Sequence, residues 1–437
     1  MLAAVAVYLA ADLSVLTMSL DGVIYASLAK LSAASTEAGF WYPLHVDANL
    51  PTFHDHPPLG IWLQTQWFAL LGDHFWTERL WCLAQILLIA ALITSLWKTV
   101  SDHATAAWWP LVIFFLMPVS TTALKGNTLD TTVTITALAA VAIAWRGRTR
   151  AMTNVWVGAC CAVGFLIKGP VALFPLAAPA IFAWVLDRNL YQVIRHSLLA
   201  LVSVVALTGG FVMLTSGEEA LQAYLQSQLL ASLTGQRGIE HGRAYQLGQL
   251  AIQLAVAGLL LGLAWLSTRR AMLSRQSIAF LLIGFCASLP LLLSPRQYRH
   301  YLLPCLPFFA IGFALVCQPA MLRVRTVYVT AAASLLIVVA VWRSIMVFGQ
   351  PGKDADQIAD VATIAAYAVA EGIGTVAFCS SHATYQAYLA RHHAIRSTVE
   401  INPQSFWICH RRPSRPGGIA LSDGLYIWQT PALPEAD

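Results

Sequence analysis

Pro51-Thr52-Phe53-His54-Asp55-His56-Pro57-Pro58-Leu59-Gly60-Ile61-Trp62-Leu63 sets a carboxylate, two imidazoles and a stiff double proline directly ahead of an apolar, aromatic-rich segment. A polar loop at a membrane surface is the setting that fits both halves of this stretch. It lies inside a polar region of about sixty residues, 21–79, which is longer than structureless connections usually run and is therefore expected to hold structure or function of its own.

The rest of the chain agrees with a membrane setting. Its 437 residues are 58% hydrophobic and only 11% charged, roughly half the charged share of an ordinary soluble domain. Apolar runs near 2–20, 80–97, 107–121, 129–145, 152–166, 167–186, 197–215, 245–267, 277–294, 301–318 and 324–348 are long enough to cross a bilayer, or nearly so. Those at 107–121 and 152–166 fall short of the roughly 20 residues a crossing usually takes. The first run has no Lys or Arg before it and no small-residue cleavage site, so it reads as a retained helix. The fold expected is an all-α polytopic membrane protein of about 11 to 13 transmembrane helices, with outer-face loop helices and a small C-terminal α/β domain. The domain division expected is 1–348 for the transmembrane part and 349–437 for the tail.

Alternate loops carry eleven basic residues on one side: Lys98, Arg146, Arg148, Arg150, Arg188, Arg195, Arg269, Arg270, Arg275, Arg323 and Arg325. The opposite loops carry eight up to position 300, together with nearly all the acids. The positive-inside rule then makes the first set cytoplasmic, with the N-terminus inside and the tail outside. The net charge of +5 is accounted for by this asymmetry and needs no nucleic acid. No P-loop or dinucleotide fingerprint is present. Six of the eight cysteines fall in apolar runs; Cys379 and Cys409 fall in the tail, where an oxidising compartment would permit a disulfide.

Ionisable residues gather in the outer loops 21–79, 122–130, 216–244 and 295–301. Each has a plain structural account. Asp21 opens a short helical stretch and suits an N-cap. His54-Asp55-His56 invites a divalent metal ion, the one cofactor the residues leave open, with His241 as a further ligand. Neighbours in an extended chain point to opposite faces, so a hydrogen-bonded turn beside the prolines competes with that reading. Asp130 starts an apolar helix, where a carboxylate favours the helix dipole. Lys168 interrupts two apolar runs and is costly there unless paired or snorkelling. Arg237 and Arg243 suit a phosphate or an anionic lipid headgroup equally.

These motifs, with Asp21-Gly22-Val23-Ile24-Tyr25 and Arg296-Gln297-Tyr298-Arg299-His300-Tyr301-Leu302-Leu303-Pro304, resemble the polyprenyl-phosphate-sugar-dependent membrane glycosyltransferases. Closest are the aminoarabinose transferases of lipid A and the protein O-mannosyltransferases. The resemblance covers roughly residues 15–320 and implies a role for each position. Asp21 stands where the family has its base, with Gly22 in place of a second acid. Asp55 and Asp130 are supporting acids. His56 occupies the position of a lysine that contacts the donor phosphate, and it carries charge near or below the reference histidine pKa of about 6.5. Lys168 retains a Lys-Gly-Pro turn near that phosphate, and Arg237, Arg243, Arg296 and Arg299 are further phosphate candidates. Tyr25 and Tyr301 are candidates for the acceptor or sugar pocket. Gln226 and Ser227 replace an acid-His pair, which weakens a metal site built on that histidine.

The function implied is inverting transfer of a sugar from a polyprenyl phosphate to a lipid A, other glycan or protein hydroxyl at the periplasmic face of a bacterial inner membrane. Expected partners are the lipid-linked donor, the lipid or protein acceptor and membrane lipids. The alternative is a polyprenyl-linked glycan transporter or flippase, which would line a path through several helices with polar groups. A membrane scaffold would leave the outer-loop acids and prolines without a role.

Overall fold

The computed structural model describes residues 15–50, 52–234, 236, 238, 240–268, 273–294, 296–321, 323, 326–348, 350, 352–399, 406–409 and 419–429. The helices in order are α1 (Leu20–Ala34), α2 (Leu59–Leu71), α3 (Thr77–Val100), α4 (Trp108–Leu116), α5 (Pro118–Leu124), α6 (Leu129–Arg146), α7 (Thr153–Lys168), α8 (Ala177–Val185), α9 (Leu190–Leu214) and α10 (Glu218–Tyr224). They continue with α11 (Arg243–Thr268), α12 (Arg275–Ser288), α13 (Leu306–Met321), α14 (Thr326–Val347), α15 (Ala355–Ala370) and α16 (Ala383–His393). Short strands β1 (Thr375–Phe378), β2 (Arg396–Val399), β3 (Phe406–Cys409), β4 (Ile419–Ala420) and β5 (Tyr426–Gln429) accompany the last helix.

Two compact units emerge. One comprises His54–Gly60 and Arg79–Phe348; the other comprises Val15–Phe53, Ile61–Glu78 and the tail beyond Phe348. Among the described residues of the chain, seven helical runs are long and apolar enough to cross a membrane: Thr77–Val100, Leu129–Arg146, Thr153–Val185, Leu190–Leu214, Arg243–Gly262, Arg275–Leu293 and Arg299–Ala320. This is the multi-pass, mostly helical membrane fold expected from the sequence. Residues 1–14, most of the first expected run, lie outside the described residues, as do Arg269 and Arg270. Of the run at 324–348, Thr326–Val347 forms α14.

Two runs differ from simple rods. The one at 107–121 breaks into α4 and α5, bent by 81° at Met117. Pro118 can take the first helical position but cannot donate to the turn before it. The freed backbone is satisfied by Gln253 of α11, whose Oε1 accepts from Val119 N–H at 2.9 Å, as membrane interiors require. The 33 residues Thr153–Val185 would reach about 50 Å as one straight helix, well beyond a hydrocarbon core. They instead fold back at Gly169, which adopts φ +80°. A Cβ placed on Gly164 would lie 2.9 Å from Ala172 Cβ, an approach that residues eight apart on a straight helix never make.

Packing in this unit relies on small residues and shape, since lipid tails are as apolar as the side chains. A Cβ on Gly158 of α7 would stand 2.5 Å from Ala200 O and 2.5 Å from Ser203 Cβ of α9, so glycine is what lets those backbones touch. Trp145, Phe182 and Phe280 make a mutual aromatic contact, with centroids 5.3 to 5.9 Å apart. The Trp145 indole still finds an acceptor, Thr99 O, at 3.1 Å.

The second unit holds the α/β element expected of the tail. Its sheet runs β2-β1-β3-β5-β4, with β1 parallel to β2 and β3, and β5 antiparallel to β3 and β4. Cys379, just past β1, is disulfide-bonded to Cys409 at the end of β3. The sheet edge at β2 is covered by residues 45–50: Ser397 N–H donates to Val46 O, and Ala48 N–H donates back to Ser397 O. The Arg396 guanidinium donates to His45 O, Asp47 O and Leu50 O. The small domain therefore takes in more than the 349–437 of the sequence reading, because backbone pairing and arginine donors bind residues 45–50 to the tail.

Candidate functional site

In the first unit, a cleft of about 420 Å³ is lined by the apolar Phe174, Pro290 and Leu291 together with Asp55, His56, Lys168, Gln228 and Tyr301. One of its lining residues, Lys168, belongs to a buried ion pair. Lys168, at the end of α7 and 5% exposed, donates to Asp130 Oδ2 at 2.5 Å, and Asp130, in the first turn of α6, is fully buried. The carboxylate thus meets both the lysine and the positive end of a helix. Its Oδ1 has no hydrogen-bond partner among the described residues. His300 Nε2 stands 3.8 Å from Oδ2, and the Lys168 ammonium lies over the Tyr301 ring at 4.5 Å, a cation–π contact. A lysine in the apolar interior is therefore paired, not merely snorkelling.

The Lys-Gly-Pro turn has a packing partner that the sequence did not announce. Tyr224, at the end of α10, presses its hydroxyl so closely on Gly169 that a Cβ there would lie 2.0 Å from it. Burial pushes the Tyr224 hydroxyl up to about 12, so it keeps its proton at physiological pH. Asp55 accepts from Gln228 Nε2 at 2.5 Å. Gln228 lies in the π-helical turn 225–230, directly after the Gln226-Ser227 position where the family resemblance leads one to look for an acid-His pair.

The remaining candidates of this unit scatter. Arg243 and Arg299 are exposed and Arg296 is partly buried, and none of the three is among the described residues lining the cleft. Arg237 lies outside the described residues. His241 stacks on Tyr245 at 4.3 Å and meets the edge of Tyr298 at 6.0 Å. Burial lowers the His54 pKa, against the pull of the Asp55 charge, which favours a neutral ring. Among the described residues, no group of three or more His, Cys, Asp and Glu side chains is placed to hold a metal ion. The set His54, Asp55 and His241 is accordingly not a formed metal centre.

In the second unit, the α1 cap belongs to Ser19, whose Oγ accepts from Gly22 N–H at 3.1 Å. That corrects the capping account of Asp21, which sits one residue inside the first turn and is partly exposed. A carboxylate there still gains from the helix dipole. Tyr25, one turn on, is 4% exposed and meets the edge of Phe53 at 6.5 Å, while His45 stacks on the same ring at 5.9 Å.

Comparisons with known proteins bear on this geometry. A family model described as dolichyl-phosphate-mannose-protein mannosyltransferase matches residues 55–214, less than half of the chain. The solved structure of ArnT from Cupriavidus metallidurans bound to undecaprenyl phosphate is similar with a TM-score of 0.60 at 18% identity, covering 89% of this chain and 74% of that one. The apo state of the same protein gives a TM-score of 0.58 at 17% identity, covering 89% and 75%. No curated protein sequence matches the chain. The resemblance read from the sequence is borne out, and the chain has an ArnT-like fold.

Proposed function

We propose that the protein transfers a sugar from a polyprenyl-phosphate donor to a hydroxyl acceptor at the periplasmic face of a bacterial inner membrane. The observation that carries this reading is the cleft of about 420 Å³, whose lining combines Lys168 with aromatic and aliphatic side chains. A lipid phosphate needs both a cation and an apolar channel. The matching family model and the ArnT-like fold support the same class. The Cys379–Cys409 disulfide suits an oxidising compartment for the tail.

In the reaction the acceptor oxygen attacks the anomeric carbon, and the bond from that carbon to the phosphate oxygen breaks with inversion. Asp21 takes the hydroxyl proton as the oxygen attacks. The electron pair leaves on the polyprenyl phosphate, whose added charge Lys168 stabilises, with His56 when protonated and Arg237, Arg243, Arg296 and Arg299 as further candidates. Asp55 and Asp130 act in support by holding Gln228 and Lys168 in place, and Tyr301, which lines the cleft, is a candidate for the acceptor or sugar pocket.

The test is to incubate purified protein in lipid nanodiscs with undecaprenyl-phosphate mannose, glucose and aminoarabinose, each with lipid A, glycan or Ser/Thr-peptide acceptors. Release of undecaprenyl phosphate coupled to acceptor glycosylation is expected for one donor. No turnover by a folded preparation that instead moves the lipid-linked sugar across a bilayer would favour the transporter.

A further inference from the structure

Helix α16 of the tail lies along α1, the helix that carries Asp21, and the two are tied at three levels. At the start of α1, Met18 N–H donates to Tyr388 Oη at 3.3 Å, and that hydroxyl donates to Asp354 Oδ2 at 2.8 Å. Midway, Ser27 Oγ lies 2.8 Å from Ala387 O and 2.8 Å from Val23 O, its one hydrogen shared between the helices. At the end, Lys30 Nζ donates to Arg391 O at 2.8 Å and pairs with Asp73 at 2.7 Å. Arg391, only 4% exposed, spreads its fork over Asp73 Oδ1 at 2.8 Å, Glu78 Oε2 at 2.7 Å and His74 O at 2.8 Å.

The buried Arg391–Glu78 pair adds little net stability over an apolar contact of the same size, because both charges are stripped of water, and the pairs to Asp73, 46% exposed, are screened by solvent. What they fix well is orientation, since a guanidinium satisfies two carboxylates and a carbonyl in only one pose. Asp21 lies between the Met18 and Ser27 ties, on the stretch of α1 whose position they set.

We infer that Tyr388 and Arg391 are positioning residues: α16 clamps α1 and so sets where the Asp21 carboxylate stands. The inference rests on the reading of Asp21 as the base. A misplacement of about 1 Å can cost on the order of a hundredfold in rate, so a clamp on this helix acts on turnover.

The experiment compares Tyr388→Phe and Arg391→Lys with Tyr385→Phe, a tail control whose hydroxyl bonds Asp360 and Asp423 instead. With the undecaprenyl-phosphate sugars named above, kcat should fall about tenfold in both clamp variants, within the loss expected of a misplaced group. Donor KM should hold within about twofold, because its phosphate-binding candidates lie in the other unit, and Tyr385→Phe should stay near wild type. Hydrogen exchange across residues 20–31 should quicken in the clamp variants alone. In an Asp21→Asn background, Tyr388→Phe should change the residual rate by less than about twofold, since the group it positions is gone. Unchanged kcat in Tyr388→Phe, or a full additive loss on top of Asp21→Asn, overturns the clamp. Normal turnover by Asp21→Asn alone overturns the base assignment, and that arm tells the two failures apart. Should Arg391→Lys fail to fold, Tyr388→Phe decides by itself, as it removes one hydroxyl.

Discussion

At the scale of single residues, the Ser19 cap sharpens the meaning of a substitution at Asp21. Because the helix is capped by another side chain, Asp21→Asn should leave α1 intact and remove the proton acceptor. Turnover should drop by about two to four orders of magnitude, the usual worth of a general base, with the thermal midpoint unchanged; wild-type rates in folded protein would reduce Asp21 to a dipole partner. The Asp130–Lys168 pair calls for a different design. Removing one partner strands a buried charge, at a cost of about 3–5 kcal/mol, so Asp130→Asn should lower stability sharply. Asp130→Leu with Lys168→Met should regain most of it while turnover stays lost, and a double variant recovering both would deny Lys168 any part in handling the donor. Much of this site was legible: Asp130 and Lys168 each stood out as ionisable groups at the edge of apolar runs. Their pairing was not, since 38 residues separate them and no periodicity links two different helices. Tyr224 carried no signal at all, because an aromatic among apolar residues is ordinary until a glycine turn is found against it. The cap was misread because Ser19 and Asp21 are both good capping types, and only backbone geometry chooses between them.

At the scale of elements, hydrophobic run length found the helices from 80 to 318, because in lipid every backbone group must be satisfied within its own segment. It could not find the break at Met117, which depends on Gln253 reaching across from another helix, though it did part the runs 152–166 and 167–186 close to the fold-back at Gly169. Gly158 offers a direct test of how these helices pack. Gly158→Val would drive side-chain atoms into Ala200 O and Ser203, overpacking a contact already closed, at a cost of about 1–3 kcal/mol. Thermal unfolding in nanodiscs should show a lower midpoint, whereas Gly209→Ala, where a Cβ meets nothing within 4 Å, should be tolerated. The clamp between α1 and α16 has its own signature in acid. Burial pushes the Asp73 carboxyl up, but the Lys30 hydrogen bond and the Arg391 and Lys30 charges outweigh it and hold the pKa below 3.8. A carboxylate lowered in the folded state contributes stability above its unfolded pKa and loses it as pH falls through the folded one. Asp73→Asn should therefore flatten the loss of stability below about pH 4, seen in acid unfolding monitored by near-UV circular dichroism; an unchanged acid limb would remove Asp73 from the network.

At the scale of the whole molecule, sidedness connects the arginine loops to the tail. The positive-inside rule predicts that loops such as 146–150 and 187–196 are cytoplasmic, and the odd number of crossings proposed from the sequence would then carry the tail outside. A disulfide in the tail agrees, since the cytoplasm of most bacteria keeps thiols reduced. The bond closes a loop of 30 residues, worth about 3 to 4 kcal/mol in the chain-entropy account, so its loss should be visible if the tail folds in an oxidising space. Two measurements follow from the same premise. Cys379 and Cys409 should resist alkylation in protein isolated without reductant and react after reduction, with a lower thermal midpoint for the Cys379→Ser, Cys409→Ser pair. Lys353→Cys, at an exposed tail position, should react with a membrane-impermeant maleimide in intact spheroplasts, whereas Ser274→Cys should react only once the membrane is opened. Both positions labelling from one side would break the odd count of crossings, and a cytoplasmic tail with free thiols would move the proposed site to the wrong face for a periplasmic acceptor.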